Sequence, residues 1–484
     1  MIDSPKKIIP IAAVDVVEEV LVPLYASQEK IYPRSVSGLF SRWRWALVWI
    51  TQLVFYGLPW LDWGQRQAVL FDLGARRFYI FNLVLYPQDF IYLTGLLVIC
   101  ALSLFLFTAV AGRLWCGFAC PQTVYTEIFL WIERHVEGDR QARMRRDAGP
   151  MTLDKAVKKS TKHALWLLVG LWTGITFVGY FSPIRGLWAE ALGHQLGGWE
   201  VFWILFYGFA TYGNAGFMRE QVCKYMCPYA RFQSAMFDKD TLIVSYDAER
   251  GEPRGKLSKH VDDQAKDPHK SKGHCVDCTL CVQVCPTGID IRNGLQYECI
   301  GCGACIDVCN EVMDKVNFQR NLIHFTTQNA QAEHGGADNI LQHVFRPRVG
   351  VYLLVLLALT AGVLGGLLSR MPLKVDVVRD RGVLARLAEG GRLENVYRLQ
   401  IMNATEMPQT YHLAAEGLPG LSVASEQDVQ VGPAESRWVP VRLQIEDGSA
   451  DSGSHSVRFM VTEVDADQRK PIHVTEKATF LVPR

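Results

Sequence analysis

Apolar residues along this chain come in two patterns. Five stretches are almost continuously apolar: Trp45–Leu61, Phe90–Gly112, Ala164–Phe181, Val201–Phe217 and Val349–Leu368. A helix of about 20 such residues crosses a bilayer, and the aromatic residues at the ends of these runs (Trp43, Trp60, Trp63, Trp166, Trp188, Trp199) suit membrane–water interfaces. Five such runs are not expected together as buried helices of one soluble core. Beyond residue 370 or so the pattern has a period of two: Tyr397, Leu399, Ile401; Val439, Val441, Leu443, Ile445; Val457, Phe459, Val461. Short alternating runs separated by GLPG, GPAES and EDGSADSGS predict an antiparallel β-sandwich.

Charge orients the helices. The connection 134–162 carries nine Lys/Arg, from Arg134 to Lys162, whereas 62–88 and 183–199 together carry four: Arg66, Arg76, Arg77 and Arg185. The positive-inside rule then puts 134–162, the N-terminus and 218–348 in the cytoplasm and the tail across the membrane, in the periplasm of a bacterium. Acidic residues interrupt the N-terminal apolar stretch MIDSPKKIIPIAAVDVVEEV, so no cleaved signal is expected. The near balance of 50 Lys+Arg against 49 Asp+Glu gives no basic patch for nucleic acid.

The predicted order is therefore a cytoplasmic segment 1–40, four transmembrane helices in two hairpins (41–217), a cytoplasmic segment 218–348, a fifth transmembrane helix 349–369 and a periplasmic β-domain 370–484. The fold class is a multi-domain membrane protein: an α-helical bundle of about five helices, a ferredoxin-like domain and a C-terminal all-β sandwich.

The thirteen cysteines are placed unevenly, and none follows Cys309. That distribution fits reduced, metal-binding thiols better than a disulfide scaffold. CVDCTLCVQVCP starts at Cys275 and CIGCGACIDVCN at Cys299. Each reads C-x-x-C-x-x-C-x-x-x-C, the bacterial ferredoxin spacing for two [4Fe–4S] clusters, in which the fourth cysteine serves the other cluster. One set is then Cys275, Cys278, Cys281 and Cys309, and the other Cys299, Cys302, Cys305 and Cys285. Gly301 and Gly303 remove bulk where backbone amides approach sulfur. Structural zinc normally uses pairs of cysteines instead of triplets plus a fourth. Asn310 stands where proline usually follows the second run, at no cost in ligands. Paired clusters pass single electrons.

Four further cysteines form CGFACP (116–121) and CKYMCP (223–228), each after an apolar hairpin and both on the cytoplasmic face. Proline at the first helical position is favoured, so Cys120 and Cys227 sit at helix starts, where the dipole favours thiolate. A repeated hairpin packing about a pseudo-twofold axis would bring the motifs together. Cys116, Cys120, Cys223 and Cys227 could then bind copper, cycle as dithiol and disulfide, hold structural zinc, or be buried small residues. Met226 is a candidate extra soft ligand, and Cys100 reads as an inert core residue. His412, His455 and His473 in the tail form no constellation.

The order of parts resembles the CcoG/FixG/RdxA family of cytochrome c oxidase accessory proteins. KIYPRSVSGLFSRWRW (30–45), two CxxxCP hairpins, the two-cluster segment, a fifth helix and a β tail carry the resemblance over nearly the full length. It implies an immunoglobulin-like tail and a membrane cupric reductase that makes Cu(I) in the cytoplasm for cbb3-type oxidase maturation. Cys116, Cys120, Cys223 and Cys227 would be its copper-binding catalytic residues, and the eight ferredoxin cysteines would deliver electrons. The implied partners are Cu(II)/Cu(I), the lipid bilayer, and oxidase assembly factors or a copper chaperone. No G-x-G-x-x-G marks a nucleotide site, so the electron donor stays open, as does a homo-oligomer. A NapH-like quinol dehydrogenase subunit and a non-catalytic assembly scaffold are the alternative functions.

Overall fold

The computed structural model describes residues 30–256, 273–332, 346–380, 385–388, 390–464 and 471–483. The reading of the first 29 residues lies outside them. Eleven helices are used below: α1 (Leu39–Gly57), α2 (Phe90–Ala111), α3 (Leu114–Phe118), α4 (Pro121–Glu137), α5 (Arg140–Ala148), α6 (Leu153–Val178), α7 (Ile184–Leu192), α8 (Gly198–Gly213), α9 (Pro228–Met236), α10 (Ala304–Lys315) and α11 (Pro347–Leu368).

Among the described residues two helices are long and apolar enough to cross a membrane, α2 with its preceding turn (Pro87–Ala111) and α11. Neither has its apolar stretch buried in the protein. Exposed surface of that kind needs lipid, so the chain is a membrane protein. The other three expected spans are also helical, with different bounds. α1 begins six residues early and carries Arg42 and Arg44. α6 starts at the Thr152 N-cap, whose side chain accepts from the Lys155 N–H, and its first turns hold Asp154, Lys155, Lys158, Lys159 and Lys162. α8 ends at Gly213 and continues as a π-helical turn, Asn214–Met218.

α2 and α11 lie side by side. A Cβ on Gly95 would come within 2.7 Å of a Val363 methyl group, and the Tyr92 hydroxyl donates to the Gly366 carbonyl oxygen at 3.0 Å. Ion pairs mark both ends: Asp89 with Arg370 and Lys374 at one, Asp238 with Arg346 and Arg348 at the other. α6 and α8 pack more closely, because Gly170 and Gly174 face the backbone of Gly208 and Ile204.

The tail is the expected sandwich. One sheet runs Ser422–Val423, Ser436–Glu446, Arg392–Asn403, Leu373–Arg379, with Arg386–Leu387 also paired to Arg392–Asn403; the other runs Asp428–Val431, Gln409–Glu416, Gly453–Glu463, His473–Val482. Tyr397, Leu399, Ile401, Val441, Leu443, Val457, Phe459 and Val461 are all fully buried between them, as the alternation requires. The connection 62–88, read from sequence only as a loop, holds a three-stranded antiparallel sheet (Val69–Asp72, Arg77–Ile80, Leu83–Leu85). Its Leu70, Tyr79, Val84 and Tyr86 form one apolar cluster with Met402 and Ala434 of the tail. The ferredoxin unit sits at the other ends of α2 and α11, tied by the Ile243–Tyr246 and Ile323–Thr326 ladder and by Leu242 N–H to the Val110 carbonyl oxygen at 3.1 Å.

Cys100 lies exposed on α2. The expectation of a core residue is corrected: on a helix whose apolar surface faces outward, mid-helix does not mean core.

Candidate redox centre

Two small apolar cavities occupy the ferredoxin unit. Cys275, Cys278, Cys281 and Cys309 line one. Cys285, Cys299, Cys302 and Cys305 line the other, with Cys281 on the wall between them. The fourth cysteine of each run thus joins the other run's triplet. Four thiols around an apolar cavity, two sets adjacent, fit a pair of [4Fe–4S] clusters.

The loops owe their shape to left-handed backbone. Gly301 and Gly303 have φ of 66° and 72°, and the matching positions of the first run, Asp277 and Thr279, have φ of 51° and 57°. The fold therefore tolerates side chains at these dihedrals. Glycine is needed in the second run because something else is close: a Cβ on Gly303 would lie 2.7 Å from the Phe40 ring and one on Gly301 3.3 Å from Arg113 backbone.

Those neighbours belong to α1 and the first CxxxCP loop. Backbone N–H groups of Phe40 and Ser41 donate to the Asp307 carboxylate of α10 at 3.2 and 2.8 Å. The buried Arg44 pairs with Glu127 at 2.7 Å and lies within electrostatic reach of Cys302. Cys116 packs against the cluster of Val284, Ile300, Cys302, Ala304 and Val308. A Cβ on Gly117 would stand 2.8 Å from Cys302 Cα and 2.8 Å from the Ile300 carbonyl oxygen. The first CxxxCP loop and the second ferredoxin loop touch backbone to backbone.

Both CxxxCP motifs share one design. Cys116 lies in the short α3 and Cys223 in a π-helical turn, Val222–Met226. Cys120 and Cys227 are N-caps, with Pro121 and Pro228 in the first helical position. The four thiols lie within electrostatic reach of one another: Cys116 of Cys120 and Cys227, and Cys223 of all three others. Among the described residues no group of three His, Cys, Asp or Glu side chains is drawn in around a single-ion site, here or at the ferredoxin cysteines. A tetrahedral shell with metal–sulfur bonds of about 2.3 Å would hold sulfurs about 3.8 Å apart. Met226 is exposed.

The expectation that the helix dipole favours thiolate is corrected at Cys120. Burial pushes Cys116 up to about 11 and Cys223 up to about 12, with the neighbouring cysteines adding to the rise. At Cys120 burial raises the pKa more than the Gln122 and Thr123 N–H groups at the helix start lower it. Desolvation outweighs the dipole.

Sequence reasoning missed two residues here. Arg113 donates to the Cys299 and Ala230 carbonyl oxygens at 3.3 and 2.8 Å and lies within reach of Cys116, Cys299 and Cys223, between the thiols and the ferredoxin loop. Gln233, fully buried on α9, accepts from Cys116 Sγ at 3.5 Å through Oε1, and its Nε2 has no partner. Arg113 stands three residues before Cys116, a position that carries a signal only when the ferredoxin loop is known to be opposite.

Comparison with known proteins places this architecture. The chain is 37% identical over 459 residues to the nitrogen fixation protein FixG of Rhizobium meliloti, covering 87% of each chain. The chain belongs to the FixG/RdxA/RdxB family. RdxB and RdxA of Cereibacter sphaeroides are 37% and 36% identical, covering 95% and 94% of those proteins and 92% and 91% of this chain. Family models described as a 4Fe-4S dicluster domain, a 4Fe-4S binding domain and an IG-like fold at the C-terminal of FixG match residues 218–328, 93–137 and 363–483. Among solved structures, a crystal structure of a FixG-related protein from Vibrio parahaemolyticus is 28% identical, covering 23% of this chain and 97% of that one, at a TM-score of 0.20. This family member is a membrane iron–sulfur redox protein with an immunoglobulin-like tail.

Proposed function

We propose that the chain is a cupric reductase, taking Cu(II) to Cu(I) at the cytoplasmic ends of its helices for maturation of cbb3-type cytochrome c oxidase. Cys116, Cys120, Cys223 and Cys227 are the copper-binding catalytic residues. The observation that carries this is the backbone contact between Gly117, inside CGFACP, and Cys302, a ligand position of the ferredoxin unit. The clusters, when bound, supply single electrons at that contact.

The chain's own groups account for the rest. Thiolates are soft donors and hold Cu(I) in preference to Cu(II). Buried thiols with raised pKa values keep the empty pocket neutral, and an arriving cation displaces their protons. Arg113 offsets negative charge gathered between the two sets of cysteines.

In this reading α1, α6 and α8 complete a five-helix bundle with α2 and α11. The ferredoxin end, next to the Lys/Arg-rich 134–162 connection, is cytoplasmic, and the tail end is periplasmic.

The test is anaerobic mixing of the reduced, full-length protein with Cu(II) and a Cu(I)-selective chelator. Cu(I) forming no faster than with a C223S/C227S control sinks the proposal. A label at residue 290 reached only from the periplasm sinks the topology.

A further inference from the structure

The reductant has no assigned entry point. A cavity of about 890 Å³ lies between α1, α4 and α6, within the size range of small-molecule sites. Its walls are largely apolar and aromatic, among them Trp45, Trp49 and Trp172, and it opens where Trp49 and Leu53 are 62% and 67% exposed. On the five-helix reading that opening faces lipid.

Polar groups interrupt the apolar lining at two places. Inside are the Tyr56 hydroxyl, 2.9 Å from Thr173 Oγ1, and Gln52, whose Oε1 is shut off from solvent without a hydrogen-bond partner. A buried acceptor left empty is costly, and a ligand O–H would satisfy it. At the ferredoxin end, beside Arg134, Ser37 and Ser41 of the same wall, is His135. Its Nδ1 donates to the Trp131 carbonyl oxygen at 2.8 Å, which leaves Nε2 to accept a proton.

The cavity also adjoins the ferredoxin unit. Val36 and Ser41 line it. Val36 packs on the apolar cluster containing Cys302, and the Ser41 N–H holds Asp307. Val36 therefore belongs both to the cavity wall and to the packing around a cluster ligand position.

We propose that this cavity binds the ring of an isoprenoid quinol, its tail leaving through the lipid-facing opening, and that this quinol is the electron donor. Gln52 Oε1 accepts a ring O–H and orients the ring, and His135 takes the two protons in turn, passing each to water. Oxidation of one quinol to quinone releases two electrons and two protons. The two clusters that the eight ferredoxin cysteines would hold could take one electron each, for transfer to the final acceptor. An acyl chain would fill the apolar part but leave Gln52 unsatisfied. The inference rests on the electron-transfer reading above, not on copper being the final acceptor.

Gly57 lines the cavity, and a Cβ there meets nothing within 4 Å, so Gly57→Phe fills the space without a backbone clash. Gln52→Leu removes the acceptor at nearly constant volume. The full-length protein with both clusters, in lipid nanodiscs, is titrated with a short-tail naphthoquinone while tryptophan emission is read. Saturable quenching is expected, with half-saturation at least 10-fold higher in either variant. In a second arm the protein is reduced with dithionite, freed of it and mixed with the same quinone. Recovery of cluster absorbance is expected to slow at least 10-fold in both variants, while recovery with ferricyanide is unchanged. Unsaturable quenching in the wild type, as from partition into lipid only, overturns the proposal. So do variants that behave as wild type in both arms. Quinone recovery without Cu(II) reduction would remove the copper reading and keep the cavity; the reverse result would do the opposite.

Discussion

Substituting Gly117 by alanine isolates the contact on which the redox route depends. The added Cβ would lie 2.8 Å from both Cys302 Cα and the Ile300 carbonyl oxygen and 2.9 Å from the Cys302 nitrogen. All three are backbone atoms of a loop fixed by its ligands, so no side chain can rotate away. Reaching ordinary contact distance requires a shift of more than half an ångström by one loop. Overpacking of this kind costs about 1–3 kcal/mol. If the strain is relieved by separating the CxxxCP loop from the ferredoxin loop, the docked population relative to the undocked one falls about 5- to 150-fold. The assay is single-turnover Cu(II) reduction by the prereduced, full-length variant, with both cluster EPR signals as the control for integrity. Gly186→Ala, whose Cβ meets nothing within 4 Å, is the matched helical control. A G117A protein with both signals intact and wild-type Cu(I) formation would refute the claim that this contact carries the electrons.

Four more outcomes follow from the geometry. Cys120→Ser together with Cys227→Ser removes both N-cap thiols and should abolish Cu(I) retention, read by dialysis against a competing chelator, while cluster absorbance stays. Cys309→Ser should alter the EPR signal of the cluster held with Cys275, Cys278 and Cys281 and leave the other unchanged; the reverse pattern would contradict the cavity assignment. Gly303→Ala combines φ of 72° with a ring 2.7 Å away and should loosen α1 from the ferredoxin unit, measured as faster hydrogen exchange at Phe40 and Ser41. Glu133 is buried among Arg143, Arg219 and Lys162; burial alone would raise its pKa, and the three cations together lower it. Its ionised form therefore stabilises the fold above the unfolded carboxyl value of about 4.3, and that contribution is lost as pH falls below it. Glu133→Gln should cost about 3–5 kcal/mol at pH 7, with a thermal midpoint that drops less on acidification than that of the wild type, the remainder coming from other low-lying carboxyls such as Asp147 and Asp238.

Features with their own period or spacing were legible in the sequence. The alternation of Leu399 with Tyr397 and Ile401, or of Val457 with Phe459 and Val461, marks a face that must be buried, and both sets are. The ferredoxin spacing likewise identified which cysteines share a cavity. Features that depend on two distant segments were not legible. The sheet at 69–85 is stabilised by apolar contact with Met402 and Ala434, over 300 residues away. Several charges of the 134–162 connection, used in the sequence only to orient the helices, engage Glu133, Glu137 and Asp147. The Cys120 thiol departs from its expectation for the same reason: a helix start is written in Cys-Pro, but the burial that overrides it is set by what packs on top.

The ion pairs at the two ends of α2 and α11 bear on how this protein can be dissected. Asp89 is buried at the start of α2, and its partners Arg370 and Lys374 belong to the first residues after α11. Ending the chain at residue 369 to remove the immunoglobulin-like tail would leave that carboxylate without counter-charge at a lipid surface. Such a truncation would report on the seating of two helices before it reported on anything the tail does. A cut after residue 380 keeps both cations, although the pairing of Leu373–Arg379 with Arg392–Asn403 is still lost. Deletions on either side of that boundary therefore separate the tail as a mechanical anchor from the tail as a binding surface.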